Sequence, residues 1–317
     1  MTDRRLAADR KLEALRHALG PVVLAALADP KVVEILANAD GRLILDLQGE
    51  GRRDTGEQLT PESRERAIRL VADHGGEVVS RAEPRLSGTL PDGERFQGML
   101  PPVSPQPAFA IRKRPAAVFR LDDYVAGGLM SEPQAEALRE AVAARRNLLI
   151  TGGAGSGTTT LANDVLAEPG FAGDRVILIE DTPELQCSAW DLAPLLTRRH
   201  PTPIAIVDLV RDALRLRPDR IVIGEIRDGA AALETLKAWN TGHPGGLSTL
   251  HANSAEDAIA RLQDLLAEVS VVPPLRLIAQ AVDRIVHIRR TPQGRSIERI
   301  LAVEAANFRE PQISTLA

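Results

Sequence analysis

The sequence of 317 residues has few aromatic residues, a single cysteine and no long hydrophobic run. Aromatic residues make up 3% of the chain, while 44% of its residues are hydrophobic and 26% are charged, a composition typical of a soluble globular protein. The lone Cys187 excludes an internal disulfide and favours a reducing compartment. Because nothing around Cys187 would activate its thiol, we interpret it as a small apolar residue rather than a nucleophile.

The sequence disfavours both membrane insertion and nucleic-acid binding. Its apolar runs, of which 21–28 is among the longest, fall far short of the roughly 20 residues that a membrane-spanning helix needs. The N-terminal region is rich in both signs of charge and lacks the pattern of a secretory signal peptide. The net charge of −4 gives no overall field that would attract nucleic acid. We therefore expect a cytoplasmic protein that reaches a membrane only through a partner and has no direct contact with nucleic acid.

The length allows two domains, and the pattern of predicted elements divides the chain accordingly. Residues 1–115 mix helices with hairpins, which indicates an α+β domain. Residues 116–129 form the expected linker. The elements predicted in the first domain are a helix over 2–29, a hairpin over 33–45, a helix over 60–75, a hairpin over 84–100 and a strand over 108–114.

Residues 130–317 alternate between predicted strands and helices. This alternation indicates an α/β domain with a mostly parallel sheet that is covered on both faces. The predicted strands are 147–151, 175–180, 220–224, 247–250 and 282–288, the predicted helices are 133–144, 158–166, 207–216, 229–239 and 255–269, and a last hairpin turns at 291–294.

A glycine-rich turn lies between the predicted strand 147–151 and the helix that follows it. A Gly-x-x-x-x-Gly spacing followed by hydroxyl residues at a helix N-terminus is the layout of a P-loop, in which backbone N–H groups and the helix dipole bind phosphate. An ordinary tight turn is the alternative when this stretch is taken alone. The P-loop, residues 152–160, consists of Gly152, Gly153, Ala154, Gly155, Ser156, Gly157, Thr158, Thr159 and Thr160, all candidates for binding nucleotide phosphates.

One residue of the P-loop departs from the pattern. The residue after the second glycine is ordinarily lysine, whose ammonium reaches the β- and γ-phosphates, and here it is Thr158. Threonine is uncharged and too short to reach them. We therefore expect weakened nucleotide binding and largely lost turnover, unless arginines of the first domain compensate. Thr159 keeps the hydroxyl that would ligate Mg²⁺.

Two predicted buried strands carry carboxylates at their ends. The strand 175–180 ends in Glu180 and is followed by Asp181 and Glu184, and the strand 220–224 precedes Glu225 and Arg227. Acids at the carboxyl ends of parallel strands face the crevice in which ligands bind, where they coordinate Mg²⁺ or orient water. A solvated strand end is the alternative for these acids. Arg227 is as consistent with a structural ion pair as with a phosphate ligand.

Two histidines, His243 and His251, flank a glycine-rich turn and the short strand 247–250. We interpret them as sensors of the γ-phosphate, with packing or surface exposure as the alternative. A zinc site is disfavoured, because no cysteine or pair of carboxylates lies at ligand spacing nearby.

These motifs occur together in an order that resembles a known family. The P-loop is followed by Ile-Glu-Asp-Thr-Pro-Glu over 179–184, Arg-Pro-Asp-Arg-Ile-Val-Ile-Gly-Glu-Ile-Arg over 217–227, and the histidine segment 238–253. The order resembles the type II/IV secretion ATPase superfamily, most fully the TrbB-type conjugal transfer ATPases of bacterial type IV secretion systems. The likeness includes 91–102, 109–113 and 121–125, and so spans nearly the whole chain.

The resemblance implies a RecA-like P-loop domain that binds ATP and Mg²⁺, preceded by a smaller α+β domain, in a homo-hexameric ring with nucleotide between the domains. It further implies a peripheral position at the inner membrane, held by conjugation or secretion components. By the same resemblance, Glu184 orients or activates water, Glu225 is the Walker B residue and helps to hold Mg²⁺, and His243 and His251 are catalytic. The basic residues implied to complete the phosphate site are Arg85, Arg95, Arg112 and Arg114, for each of which a solvated hairpin edge is the alternative.

We therefore expect a ring ATPase that powers conjugative pilus assembly or substrate transfer, with hydrolysis impaired by Thr158. One alternative is a non-catalytic nucleotide-binding scaffold subunit of the same machine. Another is a type II secretion or pilus motor, although the chain has no cysteine-rich zinc insertion. A helicase is disfavoured, because the acidic balance offers no evident surface for tracking a nucleic-acid strand.

Overall fold

The computed structural model describes residues 2–113, 120–199, 202–270, 272, 274–291, 294–306 and 310–316. The chain divides into two compact units, each with its own sheet and hydrophobic core. The first unit comprises Met1–Ala116 with Arg199–Thr202, and the second comprises Ala117–Arg198 with Pro203–Ala317.

The first unit combines a six-stranded antiparallel sheet with two helices. Its strands are β1 (Val32–Ala37), β2 (Arg42–Leu47), β3 (Gly51–Gln58), β4 (Arg85–Thr89), β5 (Arg95–Met99) and β6 (Ala108–Arg112), in the spatial order β3-β2-β1-β6-β5-β4. The helices are α1 (Thr2–Ala28) and α2 (Pro61–Gly75). The side chain of Thr60 caps α2 by accepting a hydrogen bond from the backbone N–H of Ser63.

Both predicted hairpins and both predicted helices of this unit are present, but the sequence did not indicate β3. Six of its eight residues are polar or charged, and nearly all are exposed, so no apolar alternation marks it as a strand. It forms because its backbone pairs with β2 at the edge of the sheet.

The second unit is built on an eight-stranded sheet with the order β14-β13-β12-β7-β11-β10-β8-β9. Strands β12 through β9 in this order are parallel, whereas β13 and β14 are antiparallel additions. The strands are β7 (Leu148–Gly152), β8 (Arg175–Glu180), β9 (Asp191–Leu196), β10 (Arg220–Ile223), β11 (Leu247–His251), β12 (Arg284–Thr291), β13 (Gly294–Ala306) and β14 (Glu310–Thr315).

Helices cover both faces of this sheet. The helices α3 (Leu121–Ala126), α4 (Glu132–Ala143) and α5 (Thr158–Leu166) contribute to one core, while α6 (Ile206–Ala213), α7 (Gly229–Asn240), α8 (Asp257–Ala267) and α9 (Leu275–Ala281) contribute to the other. This arrangement confirms the predicted fold class, an α/β domain with a mostly parallel sheet preceded by an α+β domain.

The segment 116–129, predicted as a linker, is part of the second unit from Leu121 onward. Leu121 and Tyr124 are buried in the core on the α3–α5 side of the sheet. The Tyr124 hydroxyl also donates a hydrogen bond to Oδ2 of Asp164 on α5, at 2.5 Å. Burial of these side chains fixes α3 against the sheet. The helix therefore belongs to the second unit and is not part of a linker between the units.

Two further observations concern the expectations drawn from composition. Cys187 is half-buried against the same core, and burial raises the pKa of its thiol, which disfavours the reactive thiolate. Within the described ranges, none of the helices has both the length and the apolar character that a membrane span requires.

Candidate functional site

Four neighbouring strands bring the predicted segments to one edge of the second sheet. The P-loop follows β7, and His251 ends β11, the strand beside β7. Glu225 follows β10, and Glu184 lies in the loop after β8. Because these strands are parallel, their carboxyl ends lie at the same edge, where open α/β sheets bind ligands.

Glycines are required at two positions of the P-loop. A β-carbon at Gly152 would lie 2.3 Å from Oγ of Ser156 and 2.4 Å from the carbonyl oxygen of Ile288, closer than real atoms approach. Gly157 has φ of 103°, in the left-handed region that other residues rarely adopt. The chain therefore passes from β7 into α5 through a turn that has no room for a side chain at Gly152 and a backbone conformation that favours glycine at Gly157.

The start of α5 leaves polar groups available for an anion. The first intrahelical hydrogen bond is donated by the backbone N–H of Leu161 to the carbonyl of Gly157, and no side chain caps the helix at Gly157. The N–H groups of the first helical turn therefore lack intrahelical acceptors. Ser156 is only 2% exposed, and among the described residues its hydroxyl has no hydrogen-bond partner. These features fit the phosphates of a nucleotide.

Thr158 opens α5 and does not replace the missing cation. Its Cγ2 lies 3.1 Å from the position of a β-carbon at Gly152, so its methyl group faces the end of β7. Thr159 and Thr160 follow on the first turn and, like Thr158, are partly exposed. Their roles as phosphate or Mg²⁺ ligands stay predictions.

Glu180, the last residue of β8, is buried beneath the loop that carries Glu184. Glu180 is 4% exposed, and its Oε1 accepts hydrogen bonds from the backbone N–H groups of Glu184 and Leu185 at 2.9 and 2.8 Å. Asn163 of α5 holds the same loop, because its side chain bonds to the carbonyl of Glu184 and to the N–H of Gln186. The expectation that Glu180 faces the ligand crevice is wrong: it anchors the loop that carries Glu184.

Arg227 joins the two acidic segments. Its Nη2 lies 2.6 Å from Oε2 of Glu225, and its Nη1 lies 2.9 Å from Oδ2 of Asp181. Burial opposes the charged form of Arg227, but its hydrogen bond to Glu225 and the nearby carboxylates outweigh that effect and raise the pKa of its guanidinium. The structure thus gives Arg227 the ion-pair role.

His251 links the P-loop to Glu225. Its Nδ1 lies 3.1 Å from the carbonyl oxygen of Gly152, and its Nε2 lies 3.2 Å from Oε1 of Glu225. Both ring nitrogens therefore face acceptors, and the imidazole forms a polar bridge between the first residue of the P-loop and Glu225, the residue predicted for the Walker B position. This contact was not predicted, but it agrees with a role for His251 in sensing what the P-loop holds.

His243 lies at the opposite end of the sheet. Its Nδ1 is 3.3 Å from the carbonyl oxygen of Ala238 near the end of α7, and the chain then enters the amino end of β11. Gly246 of this turn bonds to Asn147, the residue that precedes β7. Since a strand rises about 3.3 Å per residue, the four steps from Leu247 to His251 place His251 roughly 13 Å from the amino end of β11. The expectation that both act beside the acidic strand ends is not met within one subunit.

The arginines predicted in the first unit are only partly grouped. Arg95 of β5 and Arg112 of β6 are direct cross-strand partners, and Nε of Arg112 lies 3.8 Å from Oε1 of Glu34. Arg85 pairs with Met99 at the other end of the same hairpin. Arg114 lies outside the described residues. Their roles as phosphate ligands stay predictions.

Sequence reasoning missed one cation beside the P-loop. Arg295 of β13 packs against Gly157: a β-carbon at Gly157 would lie 2.9 Å from Cδ, 3.0 Å from Nε and 3.2 Å from Cζ of Arg295. The only sequence signal near Arg295 is the turn 291–294 that precedes it, and this turn does not indicate a binding residue. Arg295 reaches the P-loop because β12 pairs in parallel with β7, and this pairing brings the hairpin of β12 and β13 next to the P-loop.

The residues at this edge of the sheet would supply only a few protein ligands to a bound Mg²⁺. Among the described residues there is no group of three or more histidines, cysteines or carboxylates that would hold a metal ion. Magnesium at phosphate sites keeps waters and substrate oxygens as ligands, so the predicted ligand, the hydroxyl of Thr159, would not need a cage of further protein ligands. Both carboxylate oxygens of Glu225 already contact Arg227 or His251, which leaves this predicted ligand less available to a metal.

Comparison with known proteins agrees with this architecture. At 46% identity over 298 residues, the chain is similar to the probable conjugal transfer protein TrbB of Sinorhizobium fredii, with 93% of this chain and 90% of the relative covered. The conjugal transfer protein TrbB of Rhizobium radiobacter is 44% identical, with 93% and 91% covered. The X-ray structure of the Legionella pneumophila ATPase DotB shares the fold at a TM-score of 0.60 and 20% identity, covering 94% of this chain and 80% of that one.

The family resemblance seen in the motifs is confirmed by a match over most of the chain. Residues 79–313 fit the sequence profile of the type II/IV secretion system proteins, a range that includes the P-loop, both acidic segments, the histidines and Arg295. The chain therefore belongs to the type II/IV secretion system protein family.

Proposed function

We propose that this protein is an ATPase of a bacterial conjugation or type IV secretion apparatus. It acts as a homo-hexameric ring at the cytoplasmic side of the inner membrane and powers pilus assembly or substrate transfer. The observation that carries the proposal is the bridge from Gly152 through His251 to Glu225, which connects the P-loop to the Walker B position. The similarity to two conjugal transfer proteins supports the choice of apparatus.

The groups at this edge provide each part of phosphoryl transfer to water. The P-loop and the first turn of α5 bind the phosphates through backbone N–H groups. Bound Mg²⁺ would neutralise phosphate charge. Glu180 and Asn163 hold the backbone of Glu184. The Glu184 carboxylate orients the attacking water and accepts its proton as the water oxygen bonds to the γ-phosphorus and the bond from that phosphorus to the β–γ bridging oxygen breaks.

Thr158 makes this ATPase slow. A lysine at this position would place a full positive charge against the γ-phosphate in the transition state, and threonine supplies none. The same residue favours a second candidate, a scaffold subunit of the machine that binds ATP without hydrolysing it. Binding and hydrolysis must therefore be measured separately.

The experiment uses purified full-length protein with Mg²⁺. Binding is measured with a fluorescent ATP analogue, and hydrolysis is measured as phosphate release in single turnovers with protein in excess over ATP, which detects slow chemistry. We expect binding with slow hydrolysis, and a further rate loss of roughly 100-fold in Glu184→Gln at unchanged affinity. Glu140→Gln, an exposed carboxylate on α4, is the matched control.

The outcomes separate the candidates. Binding without any hydrolysis over hours would support the scaffold subunit. Absence of nucleotide binding would overturn both candidates. Hydrolysis that is insensitive to Glu184→Gln would remove the proposed role of this carboxylate.

A further inference from the structure

We propose that Arg295, on the last hairpin of the second unit, is the phosphate-binding cation of the P-loop and takes over the binding task of the absent lysine. The inference rests on the proposed function and deepens it. Its ligand is the polyphosphate of a nucleoside triphosphate, and it concerns affinity rather than the rate of hydrolysis.

The topology of the sheet carries the hairpin to the P-loop. Strand β12 lies beside β7 in parallel, with register pairs from Arg284 and Leu148 to His287 and Thr151. The next residue, Ile288, places its carbonyl oxygen against Gly152 at the end of β7. Strands β12 and β13 continue past this point as an antiparallel hairpin. The P-loop is thus flanked by His251 of β11 on one side and by this hairpin on the other.

The side chain of Arg295 lies directly on the P-loop backbone. Three consecutive side-chain atoms, Cδ, Nε and Cζ, lie 2.9–3.2 Å from the point where a β-carbon of Gly157 would project. The guanidinium therefore occupies the space that a side chain at position 157 would fill, one residue before Thr158. A lysine at 158 would start from the same turn, so both cations serve the same small region.

Arg295 is available to a ligand. It is exposed, and within the described part of the chain it makes no ion pair with a carboxylate. Arg227, the cation on the other side of the site, is paired with both Glu225 and Asp181. A polyphosphate therefore meets the charge of Arg295 without first displacing a carboxylate.

A second arginine makes an anion more favourable at this place. Arg290 of β12 is the direct cross-strand partner of Arg295, and it too is exposed and without an ion pair among the described residues. Like charges placed directly opposite each other destabilise a strand pair. An anion bound between the hairpin and the P-loop relieves this repulsion, and the unpartnered hydroxyl of Ser156 adds a hydrogen-bond donor to the same loop.

The chemistry of arginine explains why binding is retained while hydrolysis is slow. A guanidinium donates paired hydrogen bonds to phosphate oxygens and stays charged at all working pH values. It approaches from an exposed hairpin, where solvent and salt screen its field more than that of a lysine within the loop. It therefore holds the phosphates but stabilises the transition state less.

A double-mutant cycle tests the inference on the full-length protein. Affinities for ATP and for inorganic tripolyphosphate are measured in the parent, Arg295→Ala, Thr158→Lys and the double variant. Loss of one charge-assisted hydrogen-bonding group is expected to weaken binding of both ligands by about 10- to 100-fold in the parent background. In the Thr158→Lys background, where lysine supplies the charge, the same change is expected to cost no more than about threefold.

Controls separate a binding role from a structural one. Arg299→Ala, on the same strand but paired with Glu256, the residue before α8, on the other face of the sheet, should leave both affinities unchanged. Arg295→Lys should restore most of the binding lost in Arg295→Ala, because the cation returns while the packing does not. Unchanged thermal unfolding of each variant shows that the fold is intact.

The results that overturn the inference differ from those that overturn the proposed function. Parent-like ATP affinity in Arg295→Ala, or an equal loss in both backgrounds, contradicts the role of Arg295 and leaves the function standing. ATP binding by Thr158→Lys alone, with none by the parent, contradicts the role of Arg295 and also both functions proposed for the parent. If neither the parent nor Thr158→Lys binds ATP, the proposed function fails, and the role of Arg295 fails with it.

Discussion

At the scale of single residues, the two histidines of one sequence motif have different surroundings. His251 contacts the carbonyl of Gly152 and the carboxylate of Glu225, whereas His243 contacts only the end of α7 among the described residues. They therefore form a matched pair for mutation: both are histidines of one sequence motif, but they lie near opposite ends of β11.

We predict that His251→Ala lowers the single-turnover rate of ATP hydrolysis by roughly 100-fold, because loss of the bridge frees Glu225 to move. The affinity for ATP should change little, since no residue of the P-loop is replaced. His243→Ala should leave both quantities near the parent values. A large rate loss in His243→Ala would contradict the placement of catalysis at the carboxyl edge of a single subunit.

At the scale of elements, the P-loop depends on the conformation of Gly157. We predict that Gly157→Ala destabilises the protein by about 1–3 kcal/mol, because alanine strains a backbone at φ of 103° and its methyl group meets the side chain of Arg295. Displacement of Arg295 should weaken ATP binding as well.

The control for this prediction lies in the same loop. Gly153→Ala places its methyl group where no atom of the described residues lies within 4 Å, and the backbone of Gly153 is not in the left-handed region. Urea unfolding and ATP titration of both variants check the prediction. Equal effects of the two substitutions would show that neither the backbone conformation of Gly157 nor its contact with Arg295 matters for stability or ATP binding.

The fold was predictable wherever burial leaves a pattern in the sequence. Strands β7, β8 and β10 are apolar and almost fully buried, so short hydrophobic runs marked them. Strand β3 is polar and lies at an edge, and β9 has a proline and is half exposed, so neither carries an apolar signal. The helix α3 was missed because only two of its six residues, Leu121 and Tyr124, are buried.

The site was predictable to the extent that it consists of local motifs. The P-loop, Glu184, Glu225 and His251 each follow a recognisable strand, and parallel strands share an edge. The roles that depend on which strands are neighbours were not predictable. The turn of the chain back onto Glu180 is local but leaves no pattern in the sequence, and the approach of Arg295 to Gly157 is set by packing between segments distant in sequence.

At the scale of the whole molecule, a buried histidine makes stability depend on pH. His287 of β12 is 2% exposed, and its Nδ1 lies 3.0 Å from the hydroxyl of Thr151 on β7. Burial lowers the pKa of His287 below the usual 6.5, and the nearby carboxylate of Glu298 only partly opposes this.

The sign of the effect follows from proton binding. Below pH 6.5 the unfolded chain takes up a proton at His287 that the folded protein disfavours, so the free energy of unfolding decreases as the pH falls toward the lowered pKa. Above pH 6.5 this contribution is fully present. We predict that His287→Gln reduces the loss of stability between pH 7 and pH 5, as measured by urea unfolding. His74→Gln, an exposed histidine on α2, should leave the pH dependence unchanged; identical pH dependence in His287→Gln and the parent would contradict the assignment.

In the proposed function, Thr158 alone slows an otherwise competent ATPase site. Phosphate release from ATP is compared between the parent protein and Thr158→Lys under the same conditions. We expect measurable but slow hydrolysis by the parent and an increase of roughly 100-fold with lysine at position 158. Equal rates in the two proteins would show that position 158 does not limit turnover, and no hydrolysis by either would contradict the assignment of this edge of the sheet as an ATPase site.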